Sequence, residues 1–200
     1  MLWLNEAEVG LFCYFCKMKT KRIFFLIIFC LALEYNLSAQ NLFFIGSKSY
    51  PSTGSFDLLI KTDYGEEETL GCLIAKNIST GFFVISRKTM TGSVIKGNAV
   101  IYLDDGSVIT LLDKGRRDYV DGTSTNVYTL TAAEIIKLKN SIINTVRFSI
   151  KCPQEPHCYS SEDGNFTASN SEMRIFNETL VKNEIQERIN TIELISTLFK

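Results

Sequence analysis

Between residues 41 and 130 apolar side chains come in short runs, each cut off by glycine, asparagine, aspartate or serine. Strands joined by tight turns give this pattern; helices would repeat their apolar positions every three to four residues. Phe56–Lys61, Leu70–Ala75 and Phe82–Ser86 are predicted strands, the first followed by Asp63, Tyr64, Gly65 and the acidic run Glu66 to Glu68. The best-defined hairpin lies within Asn98–Leu112, where Asp105-Gly106 suits a two-residue type I′ turn with positive φ at both central positions. That register sets Leu103 against Val108, Tyr102 against Ile109 and Ile101 against Thr110. One face then carries Ala99, Ile101, Leu103, Val108, Thr110 and Leu112, the other Val100, Tyr102, Ile109 and Leu111. With apolar residues on both, the hairpin is expected to be covered on both sides.

Two helices are predicted. Thr131-Ala-Ala-Glu134 is a capping box, in which the threonine hydroxyl and the glutamate carboxylate each accept an otherwise unpaired amide. It opens a helix to about Ser141 with Ile135, Leu138 and Ile142 on one face. A longer helix is predicted from about Glu172 to Phe199, where Val181, Ile185, Ile189, Ile192, Ile195 and Phe199 fall at helical spacing. Glu178–Lys182 and Glu184–Arg188 supply i,i+4 ion pairs there. Between the helices, Val146, Phe148 and Ile150 alternate as the inward positions of a strand, and Asn165–Ala168 suggests a return strand. The expected fold class is α+β: a mainly antiparallel sheet with one short helix and a long C-terminal helix packed on it.

The N-terminal region has a different character. Met18-Lys-Thr-Lys-Arg22 is basic, residues 23–33 are wholly apolar, and Glu34 to Ala39 is a polar exit ending in small residues. Those are the three parts of a secretory signal peptide, with cleavage expected between Ala39 and Gln40. The apolar run would extend only about 16 Å as a helix, half of a hydrocarbon core of about 30 Å. Residues 1–17 have no helical or strand period and read as a start codon taken too early, so residues 18–39 are the leader and 40–200 one domain. The expected location is the periplasm or the outside of a bacterial cell. Asn77, Asn165 and Asn177 head glycosylation sequons that carry no weight with a bacterial leader.

Composition narrows the function. Without residues 1–39 the chain loses Lys17, Lys19, Lys21 and Arg22 from its 21 basic residues, and Glu6, Glu8 and Glu34 from its 22 acidic ones. The remaining net charge of −2 leaves no basic footprint for nucleic acid or, after leader cleavage, for a membrane surface. No cofactor motif is present: there is no glycine-rich phosphate loop, Gly-x-Ser-x-Gly elbow or His-Glu-x-x-His. The one histidine, His157, lies in Cys152-Pro-Gln-Glu-Pro-His-Cys158. Cys152 and Cys158 are disulfide candidates; two free thiols, or a metal site with His157 and Glu155, are the alternatives, and the spacing matches no standard zinc knuckle. Cys72, among apolar neighbours, reads as a buried small hydrophobe.

The most polar loop is Asp113–Gly122. Arg116 and Arg117 are candidates for gripping a carboxylate or phosphate, and Asp118 and Asp121 for calcium, although their spacing fails the calcium-loop pattern. No catalytic set is evident, so a non-catalytic interaction or ligand-binding module for a protein or small molecule is expected. The competing reading is a carboxylate-dependent hydrolase using Asp104, Asp105, Asp113, Asp118 and Asp121.

Ala99–Leu111, with Tyr128–Thr131, Ile136–Lys139 and Val146–Phe148, resembles small exported proteins of Bacteroidota, and the Leu37-Ser-Ala-Gln40 exit is similar to theirs. The resemblance covers about residues 98–150 and rests on structural motifs. It implies an exported α+β protein and supplies no active site.

Overall fold

A computed structural model describes residues 41–61, 67–89, 92–153, 163–171, 173–177 and 182–200. The chain divides into two units, 1–40 and 41–200; the leader, the cleavage site at Ala39–Gln40 and the early start all lie outside the described residues.

The second unit is built on antiparallel β-structure. Its strands are β1 (Asn41–Ile45), β2 (Lys48–Ser52), β3 (Phe56–Lys61), β4 (Glu67–Asn77), β5 (Thr80–Lys88), β6 (Val94–Ile95), β7 (Ala99–Leu103), β8 (Val108–Leu111), β9 (Arg117–Val120), β10 (Thr123–Leu130), β11 (Ile143–Lys151), β12 (Gly164–Ser169), β13 (Met173–Asn177) and β14 (Lys182–Gln186). Among the described residues the helices are α1 (Ala132–Asn140) and α2 (Thr191–Leu198). The main sheet runs β8-β7-β11-β12-β3-β4-β5-β10-β9, with β6 added to β11 and the β1–β2 hairpin joined to β4 through Ser52 and Ala75. The sheet curls until β10, near one end of that order, stands against β6 and β8.

Strand alternation sorts the core. Leu58, Ile60, Leu70, Cys72, Ile74, Phe83, Ile85, Tyr128, Val146, Phe148 and Ile150 are buried in one cluster on the concave face, with Ile135 and Leu138 of α1 and Ile195 of α2. A smaller cluster of Ala75, Phe82, Val84 and Val127 lies on the convex face under Phe43, Ile45 and Tyr50 of the β1–β2 hairpin. Tyr50 meets Phe82 edge-on with ring centroids 5.1 Å apart, a favourable aromatic geometry.

Several local expectations hold. The capping box is complete: Glu134 N donates to Thr131 Oγ1, and the Glu134 carboxylate accepts the Thr131 amide at 2.7 Å. The strand at Val146–Lys151 buries the predicted alternate residues, and β12 returns against it in register. Cys72 is a free, buried thiol whose pKa burial pushes well up, with Asp57 adding to the shift.

The long C-terminal helix is not formed, and the α+β class gives way to an antiparallel β fold carrying two short helices. Residues 173–177 and 182–186 pair as a separate antiparallel ribbon, and among the described residues of this stretch only Thr191–Leu198 is helical. Of the apolar residues at helical spacing, Ile185 is in β14, Ile189 lies between the elements, Ile192 and Ile195 are in α2 and Phe199 is its C-cap, while Val181 lies outside the described residues. Asn190 marks the boundary by accepting the Glu193 amide as an N-cap, a role asparagine fills better than a helix interior. Arg188 Nη2 reaches Asp104 at 2.5 Å. The buried Asn170 amide donates to the carbonyls of Ile143 and Ile189 and accepts the Ile189 N–H, tying the C-terminal segment to β11.

The hairpin register differs by one residue from expectation. Ile101 pairs with Ile109, and Tyr102 with Val108. Gly106 has φ +81° and Asp105 is not in the positive region, so the turn is not type I′. Its shape follows from neighbours: Asp104 N donates to the Ile142 carbonyl, Asp105 N to Ser141 Oγ, and Ser107 N to the Asp105 carboxylate. A one-residue slip exchanges the faces of a strand. Ile109 and Leu111 therefore join Ala99, Ile101 and Leu103 inside, while Val108 and Leu112 are exposed; only one face of the hairpin is covered. The type I′ geometry occurs instead at Asp121-Gly122, with φ +50° and +76°, joining β9 to β10.

Candidate functional site

The loop nominated by sequence is largely occupied in joining the curled sheet. Along β10 the inward row is Ser124, Asn126, Tyr128 and Leu130, all fully buried. Leu130 continues the core, but the first three carry polar atoms that meet the chain around β6. Ile95 N donates to Ser124 Oγ at 2.7 Å, and Tyr128 OH donates to the Gly97 carbonyl at 3.0 Å. Asn126 Nδ2 donates to the Tyr128 oxygen at 3.0 Å. Asp113 extends this seam: its carboxylate accepts the Gly97 and Gly115 amides, each at 2.8 Å, and pairs with Arg117 at 2.5 Å. Burial pushes the Asp113 pKa up, yet those two amides, the Arg117 charge and Asn126 outweigh it and hold the carboxyl below its usual range. Burial, together with the nearby Asp113 charge, pushes the Tyr128 phenol well above its usual value.

The other nominated residues are dispersed. Arg116 lies over the Phe82 ring at 5.9 Å, and Asp118 accepts the Tyr119 amide at 2.8 Å. Asp121 is in the β9–β10 turn. Arg116, Arg117 and Asp118 do share a groove of about 460 Å³ with Phe43, Phe44 and Ile45 of β1. No group of three or more metal-ligating side chains occurs among the described residues, so Asp118 and Asp121 are not joined by further carboxylates into a calcium ligand set there. Cys158 lies outside the described residues, as do His157 and Glu155, so neither a pairing with Cys152 nor a metal site there is described. The backbone N–H of Cys152 donates to Asp163 at 2.5 Å.

The five aspartates proposed for hydrolysis do not converge. Asp104 binds Arg188 and Asn144, and chiefly its hydrogen bond from Arg188 lowers its pKa. Asp105 shapes its own turn, and hydrogen bonding from Ser107 lowers its pKa. A general acid at neutral pH needs the opposite shift.

A second groove, of about 650 Å³, was not anticipated. Its lining includes Asp57 of β3, Glu68 and Gly71 of β4, and Ser86, Arg87 and Lys88 of β5. Register sets Asp57, Gly71 and Ser86 side by side across three strands. Glycine matters here: a Cβ at position 71 would lie 2.7 Å from Ser86 Oγ and 3.6 Å from the Asp57 carboxylate, so its absence hollows the row. Arg87 belongs to the alternate row, opposite the buried Ser124. Its side chain is only 9% exposed, pairs with Glu68 and lies over the Phe166 ring at 4.4 Å. The signal for Arg87 was present in the sequence: the alternation that buries Phe83 and Ile85 carries on to residue 87. Among the described residues no helix is long and apolar enough to cross a membrane. Comparisons with protein-family models, curated proteins and solved structures find no match to this chain.

Proposed function

We propose that this chain is an exported, non-catalytic binding module that takes a small-molecule or peptide ligand in the groove across β3, β4 and β5. The observation that carries the reading is the row Asp57, Gly71 and Ser86, a polar depression on a rigid sheet with charged residues at its side. Polar groups placed on packed strands are held more precisely than on loops, which suits recognition. The aspartates available to a hydrolase are instead tied into ion pairs and turns. Export rests on the basic, apolar and small-residue order of residues 18–39, and kinship with exported Bacteroidota proteins on residues 98–150. A Cys152–Cys158 bond belongs to the same reading, since an oxidising compartment favours it.

Fractionation with intact-mass measurement is the test of location. A chain beginning at Gln40 outside the cytosol supports the proposal, and a full-length cytosolic chain refutes it. For the catalytic alternative, ester, phosphoester, glycoside and peptide substrates are predicted to show no turnover. Turnover abolished by Asp104→Asn would overturn the non-catalytic reading.

A further inference from the structure

The groove beside β1 is bounded by an open strand edge. Its lining takes Phe43, Phe44, Ile45 and Gly46 in succession from the β1 side and none from β2, so β1 turns its unpaired edge toward it. Thr125 and Val127 of β10, with Arg116 to Asp118, line the rest. Ile45 pairs with Lys48 across a two-residue turn, and the closing pair of such a hairpin exchanges hydrogen bonds. Alternation then points the N–H and C=O of Leu42 and Phe44 away from β2.

An unpaired strand edge is a template for another strand, and folded proteins commonly blunt it. The two ends of the main sheet are blunted in this way. On β9 the Asp118 carboxylate accepts the Tyr119 amide at 2.8 Å, and on β8 the Val108 carbonyl is reached by Lys137 Nζ at 3.5 Å. β1, Asn41-Leu-Phe-Phe-Ile45, has neither a charge nor a proline, and its Leu42 and Phe44 are 51% and 62% exposed. Across the groove Arg116 lies over the Phe82 ring and belongs to none of the ion pairs among the described residues, whereas Arg117 is paired with Asp113.

We propose that β1 is a docking edge for an extended peptide of a partner protein, which adds as a strand in this groove and sets a carboxylate on Arg116. Main-chain bonds to Leu42 and Phe44 supply affinity, and the partner's alternate side chains supply specificity. Those facing the sheet meet Phe43, Ile45 and Val127 and are apolar; Asp118, beside Arg116 in the lining, disfavours a second acid. The β1 strand of a second copy brings no acidic residue to Arg116, so a peptide that carries one is the better fit. This surface is separate from the groove across β3, β4 and β5 and does not depend on it.

The test is selection from a displayed library of random short peptides on the purified protein, with Phe44→Pro as the counter-target. Proline at 44 removes an outward N–H and leaves the bonds to β2 in place. The expected result is enrichment of apolar peptides that carry aspartate or glutamate. Such a peptide shifts the Leu42 and Phe44 amides of ¹⁵N-labelled protein saturably and slows their hydrogen exchange. Affinity is expected to fall about tenfold or more in Phe44→Pro, the worth of one main-chain hydrogen bond, and up to about fivefold in Arg116→Gln, the worth of an exposed ion pair. Arg116→Gln is a surface change and keeps the test usable if the proline variant misfolds. Failure to enrich any peptide that moves the Leu42 and Phe44 amides overturns the proposal. Peptides that shift only Gly71 and Ser86 would also overturn it, while leaving the other groove as a binding surface. Concentration-dependent dimerisation that protects the Leu42 and Phe44 amides, with no peptide enriched, would overturn it in favour of a second copy.

Discussion

Replacing Tyr128 with phenylalanine removes one oxygen from the seam and leaves the ring volume in place. That oxygen accepts from Asn126 Nδ2 and donates to the Gly97 carbonyl, each at 3.0 Å, inside a residue with no solvent exposure. Two buried hydrogen bonds contribute about 1 kcal/mol each, and a carbonyl left without a partner costs about 1 kcal/mol more. Asn126 also bonds Asp113, which relieves part of the loss. The expected destabilisation is about 2 kcal/mol. At a urea dependence of about 2 kcal/mol per molar for a domain of this size, the unfolding midpoint falls by about 1 M. Tyr102→Phe is the control, because Tyr102 is half-buried on the uncovered face of its hairpin, and its change is expected within about 0.5 kcal/mol. Equilibrium urea unfolding followed by fluorescence measures both. A Tyr128→Phe shift as small as the control's would refute the argument that side chains of β10 hold the sheet together at this point.

Other consequences follow from the same geometry. Ile109→Ala is predicted to cost about 3 kcal/mol and Leu112→Ala under about 0.5 kcal/mol, since Ile109 is 2% exposed and Leu112 60%; comparable losses in thermal unfolding would contradict the one-residue register. Ile78 combines φ +52° with 91% exposure, so Ile78→Asn relieves a left-handed backbone without losing buried area and is predicted to stabilise by about 1 kcal/mol. A melting temperature that fails to rise would argue against that backbone. Asp104, Asp105 and Asp113 all have lowered pKa values, so they add stability above the ordinary carboxylate range and lose it as pH falls through their folded values. Unfolding free energy is thus predicted to be flat from neutral pH to about 5 and to drop below about 4, with a shallower drop in the Asp104→Asn, Asp113→Asn double variant; an identical acid limb would count against those pairings.

What could be read from the chain alone depended on whether the cause was local. The capping box at Thr131 and Glu134 involves one turn of backbone, and the alternation of Val146, Phe148 and Ile150 involves one strand facing one core. Both were legible. The hairpin turn was not, because Asp105-Gly106 and Asp121-Gly122 carry the same pair of residues and only the second adopts paired positive φ. The difference comes from Ser141 and Ile142, which bond to the first turn from 36 and 38 residues away. At the C-terminus the apolar period was real, but nothing in the residues themselves revealed that β13 would pair with β14 or that Asn170 would hold Ile189. Among the candidate residues, charge drew notice to Arg116, Arg117 and Asp118 on the surface. Strand periodicity carried further along β5 places Arg87 on the inward row, where it is buried and paired with Glu68.

β10 closes against the β6 region through side chains, so the conspicuous polar residues there serve the fold. Amide hydrogen exchange at Ile95 and Gly97 tests it most directly, because these N–H groups donate to Ser124 and Asp113 side chains rather than to a strand ladder. Both are predicted to be protected at neutral pH, and the protection at Gly97 to fall when Asp113 is changed to asparagine. Exchange of both amides at the rate of an unstructured peptide, in protein that is otherwise folded, would contradict the claim.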